Sequence, residues 1–186
     1  MTISPGLVVR LVLLTLAVVL LQTAAVSQIG LFGATPDLAP LLVASIGLLC
    51  GTVVGAAGGF TVGLLVDLAL VQTLGVSSLL LCVVGHLAGR LHETARDPGA
   101  TFLPLAAGAA ATALYAIGFS LLYFLLGVEA PVSIELVRQV IATVLINTLL
   151  ALPIHALARR VLTPALSTPG ARPRRPRPGL SPLQQA

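Results

Sequence analysis

Apolar residues follow one another in long stretches along this chain, and charged residues interrupt them at few places. The first stretch, from Leu11 to Gly89, contains only the charged residues Asp37 and Asp67, and two more extend from Pro98 to Val128 and from Leu136 to Ala158. A helix of about twenty apolar residues is long enough to cross the hydrocarbon core of a bilayer. The pattern therefore predicts an all-α integral membrane protein with several spans.

The positions of the arginines predict how many spans there are. Arg10, Arg90 with Arg96, and the arginines from Arg159 onward follow or precede apolar stretches, and basic residues favour the cytoplasmic side. An even number of crossings must then separate each pair of these positions. The 79 residues from 11 to 89 accommodate three spans of about 20–25 residues or four of about 17–20. The even number selects four, and two further spans give six transmembrane helices with both termini in the cytoplasm.

The predicted transmembrane domain covers residues 1–165, and residues 166–186 form a tail rich in proline and arginine that we expect to be disordered and cytoplasmic. Pro36 and Asp37 mark the start of the second helix, because proline is tolerated in the first turn and an acid is stabilised near the positive end of the helix dipole. The six predicted spans are residues 8–28, 36–50, 53–71, 75–92, 99–126 and 134–159.

Five glycines spaced four residues apart lie in the region of the second and third spans: Gly47, Gly51, Gly55, Gly59 and Gly63. On one continuous helix they would form a single stripe of small residues and leave an odd number of spans before the first basic loop. The even count favours a hairpin that turns near Gly51. Small residues allow helices to approach closely, so we expect Gly51, Gly55, Gly59 and Gly63 to form a helix-packing surface or an interface with a partner helix.

Asp67 joins these glycines as a candidate site residue, because it ends a strongly apolar segment and ionisable groups at membrane depth are costly. Three roles are open to it. It can bond to a neighbouring loop near the outer interface, it can contact a partner or another helix of the bundle, or it can relay protons or ions. Asn147 lies near the middle of the last predicted span, and we expect it to hydrogen-bond to another helix.

No motif of nucleophilic, metal-dependent or nucleotide-dependent catalysis occurs in the sequence. Cys82 and His86 are four residues apart, but the sequence supplies no third ligand for a metal ion beside them. Cys50 and Cys82 lie within apolar runs, where we expect them to pack as small side chains. The sequence thus predicts a protein that is not an enzyme and that holds no cofactor and no metal.

Composition and charge narrow the class further. Hydrophobic residues make up 57% of the chain and charged residues 9%, so too few charged side chains are available to solvate the surface of a water-soluble protein of this size. The formal net charge of +4 comes from arginines at the ends of the spans and in the tail, without interleaved aromatic residues. We therefore expect the arginine-rich tail to contact anionic lipids and expect no nucleic-acid partner.

Several short segments of the membrane part resemble the rod shape-determining protein MreD family. They are Pro36-Asp37-Leu38, Gly51-x-x-x-Gly55, Gly58-Gly59-Phe60-x-x-Gly63-Leu64-x-x-Asp67 and Leu74-Gly75-x-x-x-Leu79. The resemblance implies a non-enzymatic scaffold in the bacterial plasma membrane that binds the bitopic protein MreC. It also implies an indirect link between MreB filaments and the peptidoglycan synthases RodA and the class B penicillin-binding protein, and a six-helix fold like that of the S subunits of energy-coupling-factor transporters.

A small-molecule uptake subunit is the alternative function, because an S-subunit-like fold would permit it and fold alone does not determine function. A pocket for a vitamin-like ligand needs several convergent polar groups, and the predicted bundle offers few. These are Gln22, Asp67, Gln72, Tyr115, Tyr123 and Asn147.

Overall fold

A computed structural model describes residues 5–24, 37–71, 73–94, 102–127 and 134–166, and these residues form six α-helices. The helices are α1 (Pro5–Ala24), α2 (Leu38–Cys50), α3 (Thr52–Ala69), α4 (Val76–Thr94), α5 (Phe102–Leu125) and α6 (Ile134–Leu166). Three stretches, Thr52–Ala69, Phe102–Leu125 and Arg138–Thr163, are long and apolar enough to cross a membrane. The prediction of an all-helical membrane protein is confirmed. Pro36, and the predicted tail beyond Leu166, lie outside the described residues.

Helix α2 lies at the centre of the bundle. It contacts each of the other five helices, and every residue from Leu38 to Leu48 is buried. Its 13 residues extend over about 20 Å, whereas the hydrocarbon core of a bilayer is about 30 Å thick. Because protein surrounds α2 on all sides, its apolar residues serve as the core of the bundle instead of facing lipid.

The chain reverses direction at Gly51, between α2 and α3. Gly51 has a φ of +84°, a backbone conformation that side chains other than glycine rarely adopt. A Cβ atom on Gly58 would lie 3.3 Å from Cγ2 of Ile46, although these residues would be about 18 Å apart on one continuous helix. The glycines from Gly47 to Gly63 therefore belong to two helices of a hairpin.

Helix α1 is peripheral. It packs through Leu7, Leu14 and Val18, which are buried, whereas most of its other large side chains are exposed. At its N-terminal half the guanidinium of Arg10 donates a hydrogen bond of 3.2 Å to the carbonyl of Val161 in α6. A cation near the C-terminal end of a helix interacts favourably with the helix dipole, so this contact fixes the two helix ends beside each other.

Candidate functional site

The glycines of α3 face α4 at backbone contact distance. A Cβ atom on Gly55, Gly59 or Gly63 would lie less than 3.0 Å from backbone atoms of Gly85, Leu81 or Ser78, respectively. Real Cβ atoms do not approach other atoms so closely, so a side chain at these positions would force the two helices apart. The α3 glycine face is therefore occupied by α4 of the same chain.

Asp67 holds the start of α4 at one end of this helix pair. Its carboxylate is 1% exposed and accepts hydrogen bonds from the backbone amides of Gly75, at 2.8 Å, and Ser77, at 3.3 Å. The residue that precedes α4 is Gly75, which has no side chain to cap the helix and which has a φ of +99°. Asp67 supplies the missing cap from the neighbouring helix, because its side-chain oxygens accept from amides that have no partner within α4. We call this contact the Asp67 clasp.

Glu93 does the same for α3 at the other end of the pair. Its Oε1 accepts hydrogen bonds from the amide of Thr52, at 3.2 Å, and from the Thr52 hydroxyl, at 2.5 Å. Again the residue before the helix is a glycine, Gly51, which has no side chain to cap it. The hydroxyl and the amide of Thr52 together lower the pKa of the Glu93 carboxyl, since both hydrogen bonds favour its charged form. We call this contact the Glu93 clasp.

The two clasps make α3 and α4 a reciprocally capped antiparallel pair. Each helix contributes a carboxylate near its C-terminal end, and each carboxylate accepts from the first turn of the other helix. Between the clasps, the glycine face brings the two backbones together. Asp67 and the glycines are candidate residues from the sequence, but the fourth predicted span ends at residue 92. The sequence prediction therefore leaves out Glu93 and misses the second clasp. An acid at the end of one apolar helix and an uncapped Gly-Thr start on another were the available signal.

A second polar cluster fixes the start of α2. The Asn147 side chain of α6 is fully buried, donates to the carbonyl of Asp37 at 2.8 Å and accepts from the Asp37 amide at 3.2 Å. The Asp37 carboxylate accepts from the amide of Ala39, at 3.2 Å, and from the side chain of Gln22 in α1, at 2.9 Å. Thr112 in α5 accepts a further hydrogen bond from Asn147 at 3.2 Å. These bonds join α1, α2, α5 and α6.

Asp37 differs in detail from the predicted helix start. The sequence places it inside the first turn after Pro36, whereas the structure makes Asp37 itself the N-cap and starts α2 at Leu38. Its backbone is extended, with φ −109° and ψ 107°, and its carboxylate accepts from the amide two residues on. An aspartate in an extended conformation is among the strongest N-cap residues, so it takes this position.

Tyr115 connects α5 to the Asp67 clasp. Its hydroxyl donates to Oγ of Ser77 at 3.1 Å, and the amide of the same serine donates to Asp67. The tyrosine ring packs against Phe119, which in turn stacks on Tyr123 with 4.4 Å between ring centroids. Tyr115 therefore anchors the first turn of α4 to a third helix.

Comparison of the sequence with protein-family models identifies the family of this chain. The model described as rod shape-determining protein MreD matches residues 4–161. The chain belongs to the MreD family. No curated protein and no solved structure matches it. The MreD family functions in rod shape determination, so this membrane protein is assigned to that process, and the resemblance found from the sequence is confirmed.

The polar groups of this MreD-family chain serve mainly to join its helices. Within the described residues, no group of three or more histidine, cysteine, aspartate or glutamate side chains could hold a metal ion. Among the residues that the structure describes, three buried polar atoms have no hydrogen-bond partner, namely Oε1 of Gln22, Oγ of Ser78 and Nδ1 of His155, and they belong to three different helices.

Proposed function

We propose that this chain is a non-enzymatic scaffold of the bacterial elongation machinery. In this proposal it binds an MreC-type bitopic protein and, through it, links MreB-type filaments to RodA and the class B penicillin-binding protein. The match to the MreD family over residues 4–161 carries the proposal. The hydrogen-bonded polar clusters support it, because their side chains are engaged in holding helices together.

We propose that Gly51, Gly55, Gly59, Gly63 and Asp67 act by shaping the bundle. The α3 glycines contact α4 of the same chain, so a partner helix would have to displace α4 to reach them. A partner that binds the assembled bundle would therefore contact other surfaces. The function of the glycine face is then to hold α3 and α4 in one arrangement on which those surfaces depend.

We further propose six membrane spans in the plasma membrane, with both termini in the cytoplasm and an arrangement like that of transporter S subunits. Arg10 contacts Val161, next to Arg159 and Arg160, and this supports the placement of these basic residues on one side. Burial of α2 by its neighbours supports its inclusion as a span despite its length. The arginine-rich tail would then face the anionic inner leaflet.

Recovery of the complex tests MreC binding. The chain is co-expressed with the MreC-type protein of the same organism, and a tag on one is used to purify both from mild detergent. The proposal predicts recovery of both proteins through size-exclusion chromatography. A monodisperse, folded chain that never recovers MreC would contradict it. Stabilisation of the purified chain against heat by a vitamin would instead favour the uptake alternative.

Cysteine labelling tests the span count. Cys50 and Cys82 are first replaced by alanine, and single cysteines are then introduced at Arg10, Arg90 and Arg160. The six-span proposal predicts that a membrane-impermeant maleimide labels all three only from the cytoplasmic side. Labelling of positions 10 and 90 from opposite sides would contradict it.

A further inference from the structure

An apolar cleft opens between α4 and α5. Its volume is about 110 Å³, and all eight residues that line it are alanine, valine or leucine. Ala107 and Ala110 contribute to the α5 wall, and Leu87 and Leu91 contribute to the α4 wall. The small side chains of α5 leave the space between the helices unfilled.

The cleft opens at the surface of the bundle. Leu87 is 48% exposed and Leu91 is 39% exposed on the α4 side, and Leu114 is 39% exposed on the α5 side. In a membrane protein the medium beside such leucines is the hydrocarbon of the bilayer. An unfilled apolar space there loses dispersion contacts that a hydrocarbon chain would restore. The lining of the cleft therefore suits a segment of an acyl chain.

A cationic side chain lies beside this cleft. Arg90 is exposed and follows Leu87 by three residues, so the two are neighbours on the surface of α4. The Glu93 carboxylate attracts Arg90, but its Oε1 accepts from Thr52, and the Arg90 side chain stays exposed. A long arginine side chain can extend along the helix to the headgroup level while its stem stays in apolar surroundings.

We propose that the α4–α5 cleft binds one anionic phospholipid, with an acyl chain between Leu87 and Ala110 and the phosphate at Arg90. The placement of this headgroup in the inner leaflet rests on the topology given under the proposed function. A partner's transmembrane helix could fill an apolar cleft too, but the exposed positive charge of Arg90 matches a phosphate and not an apolar helix. The charge therefore selects the lipid.

Native mass spectrometry of the full chain in detergent tests the proposal. The probe is dioleoylphosphatidylglycerol, and dioleoylphosphatidylcholine, with the same chains and no net charge, is the comparison. We expect the anionic lipid to bind more tightly. Arg90→Gln should weaken it about fivefold, the effect of one basic side chain at an anionic surface. Ala110→Phe should weaken it about fourfold or more, because the ring fills space worth at least one buried methylene.

Two matched variants control for general effects. Arg160→Gln removes another exposed charge at a helix end, and Ala57→Phe makes the same enlargement at an exposed alanine of α3. Both should leave binding of the lipid within about twofold of the unchanged chain, since neither residue borders the cleft. Thermal unfolding of each variant verifies that it is folded.

Three results would overturn the proposal. The first is that the two lipids bind equally well, and the second is that Arg90→Gln and Arg160→Gln weaken binding to the same extent. The third is that the Ala110→Phe variant binds the lipid as tightly as the unchanged chain does. In the last case, loss of MreC recovery by Ala110→Phe would assign the cleft to a partner helix. The measurement uses the purified chain alone. Failure to recover MreC with intact lipid binding would thus count against the proposed function and not against the lipid site.

Discussion

The Asp67 clasp and the Glu93 clasp are the same device in two environments. In both, a carboxylate from one helix accepts hydrogen bonds from the first turn of its antiparallel neighbour, where a glycine leaves the helix without a side-chain cap. Asp67 is almost completely buried, and its serine partner is bonded in turn to Tyr115. Glu93 and Thr52 form their contact in an exposed position.

Burial decides what each contact contributes to stability. Water can replace Glu93 as the acceptor for Thr52, and solvent screens its charge, so little is lost when it is removed. Water can also reach the amide of exposed Gly75, but the buried amide of Ser77 would have no such replacement if Asp67 were removed. An unsatisfied buried donor is costly. The end of the α3–α4 pair that holds Asp67 should therefore be the stable end, and the end that holds Glu93 should open more readily.

The largest effect should come from disrupting the close contact between α3 and α4, which lies between the two clasps. Gly59→Leu would place a side chain against the Leu81 carbonyl of α4 and separate the helices along their whole length. We expect loss of the folded chain, seen as aggregation in size-exclusion chromatography. Gly6→Leu is the matched control, because a Cβ atom there meets nothing within 4 Å. Normal folding of Gly59→Leu would show that the α3–α4 contact is not close.

Removal of the buried carboxylate should have the next largest effect. Asp67→Ala leaves the buried Ser77 amide without an acceptor, which should cost about 1–3 kcal/mol of unfolding free energy. Asp67→Asn keeps one acceptor oxygen and should cost about half as much. A thiol-reactive dye that reports thermal exposure of the half-buried Cys50 and Cys82 measures both. Equal stability of Asp67→Ala and the unchanged chain would contradict the role of the Asp67 clasp.

The tyrosine that supports the Asp67 clasp should have a smaller effect. Tyr115→Phe removes the hydrogen bond to Ser77 and keeps the ring contact with Phe119, so we expect a loss of about 0.5–1 kcal/mol. Tyr123→Phe is the matched control, since the Tyr123 ring also packs against Phe119. The same dye assay compares the two, and a larger loss for Tyr123→Phe would place the anchor elsewhere.

The smallest effect should follow from changes at the Glu93 clasp. Glu93→Gln should alter the unfolding temperature only slightly, because the contact is exposed. The lowered pKa of Glu93 gives the sign of the pH dependence. Any stability that the Glu93 carboxylate contributes is present above its pKa in the unfolded chain, and it is lost as the pH falls through its pKa in the folded chain. Protection of the Thr52 amide, which is the intrinsic exchange rate at each pH divided by the observed rate, should fall on acidification in the unchanged chain but not in Glu93→Gln. An equal loss of protection in both chains would show that Glu93 does not cause it.

Much of the fold could be predicted from the sequence, because long apolar runs and the spacing of charges are local signals. The all-helical membrane class follows from them, as does the reversal at Gly51, where the even span count argued against one continuous helix. The hydrogen bond expected from Asn147 to another helix is present. Asp67 bonds to the segment that follows it, which is one of the roles the sequence left open.

The parts that could not be predicted depend on which helices meet. Hydropathy is high both for α2, which protein surrounds, and for α1, which faces outward, so it does not reveal that α2 is central. Glu93 and Thr52 are 41 residues apart, and no local pattern joins them. The sequence also could not predict which helix packs against the α3 glycines, because a surface of small residues fits a helix of the same chain or of another.

Depletion of the protein in its own bacterium, followed by microscopy of cell length and width, tests whether it is a scaffold for shape determination. If it is, cells should lose their elongated shape or their polar elongation. The unchanged chain and Glu93→Gln should restore the shape, and Gly59→Leu should not. Cells that keep their shape on depletion but require an added nutrient would contradict the account.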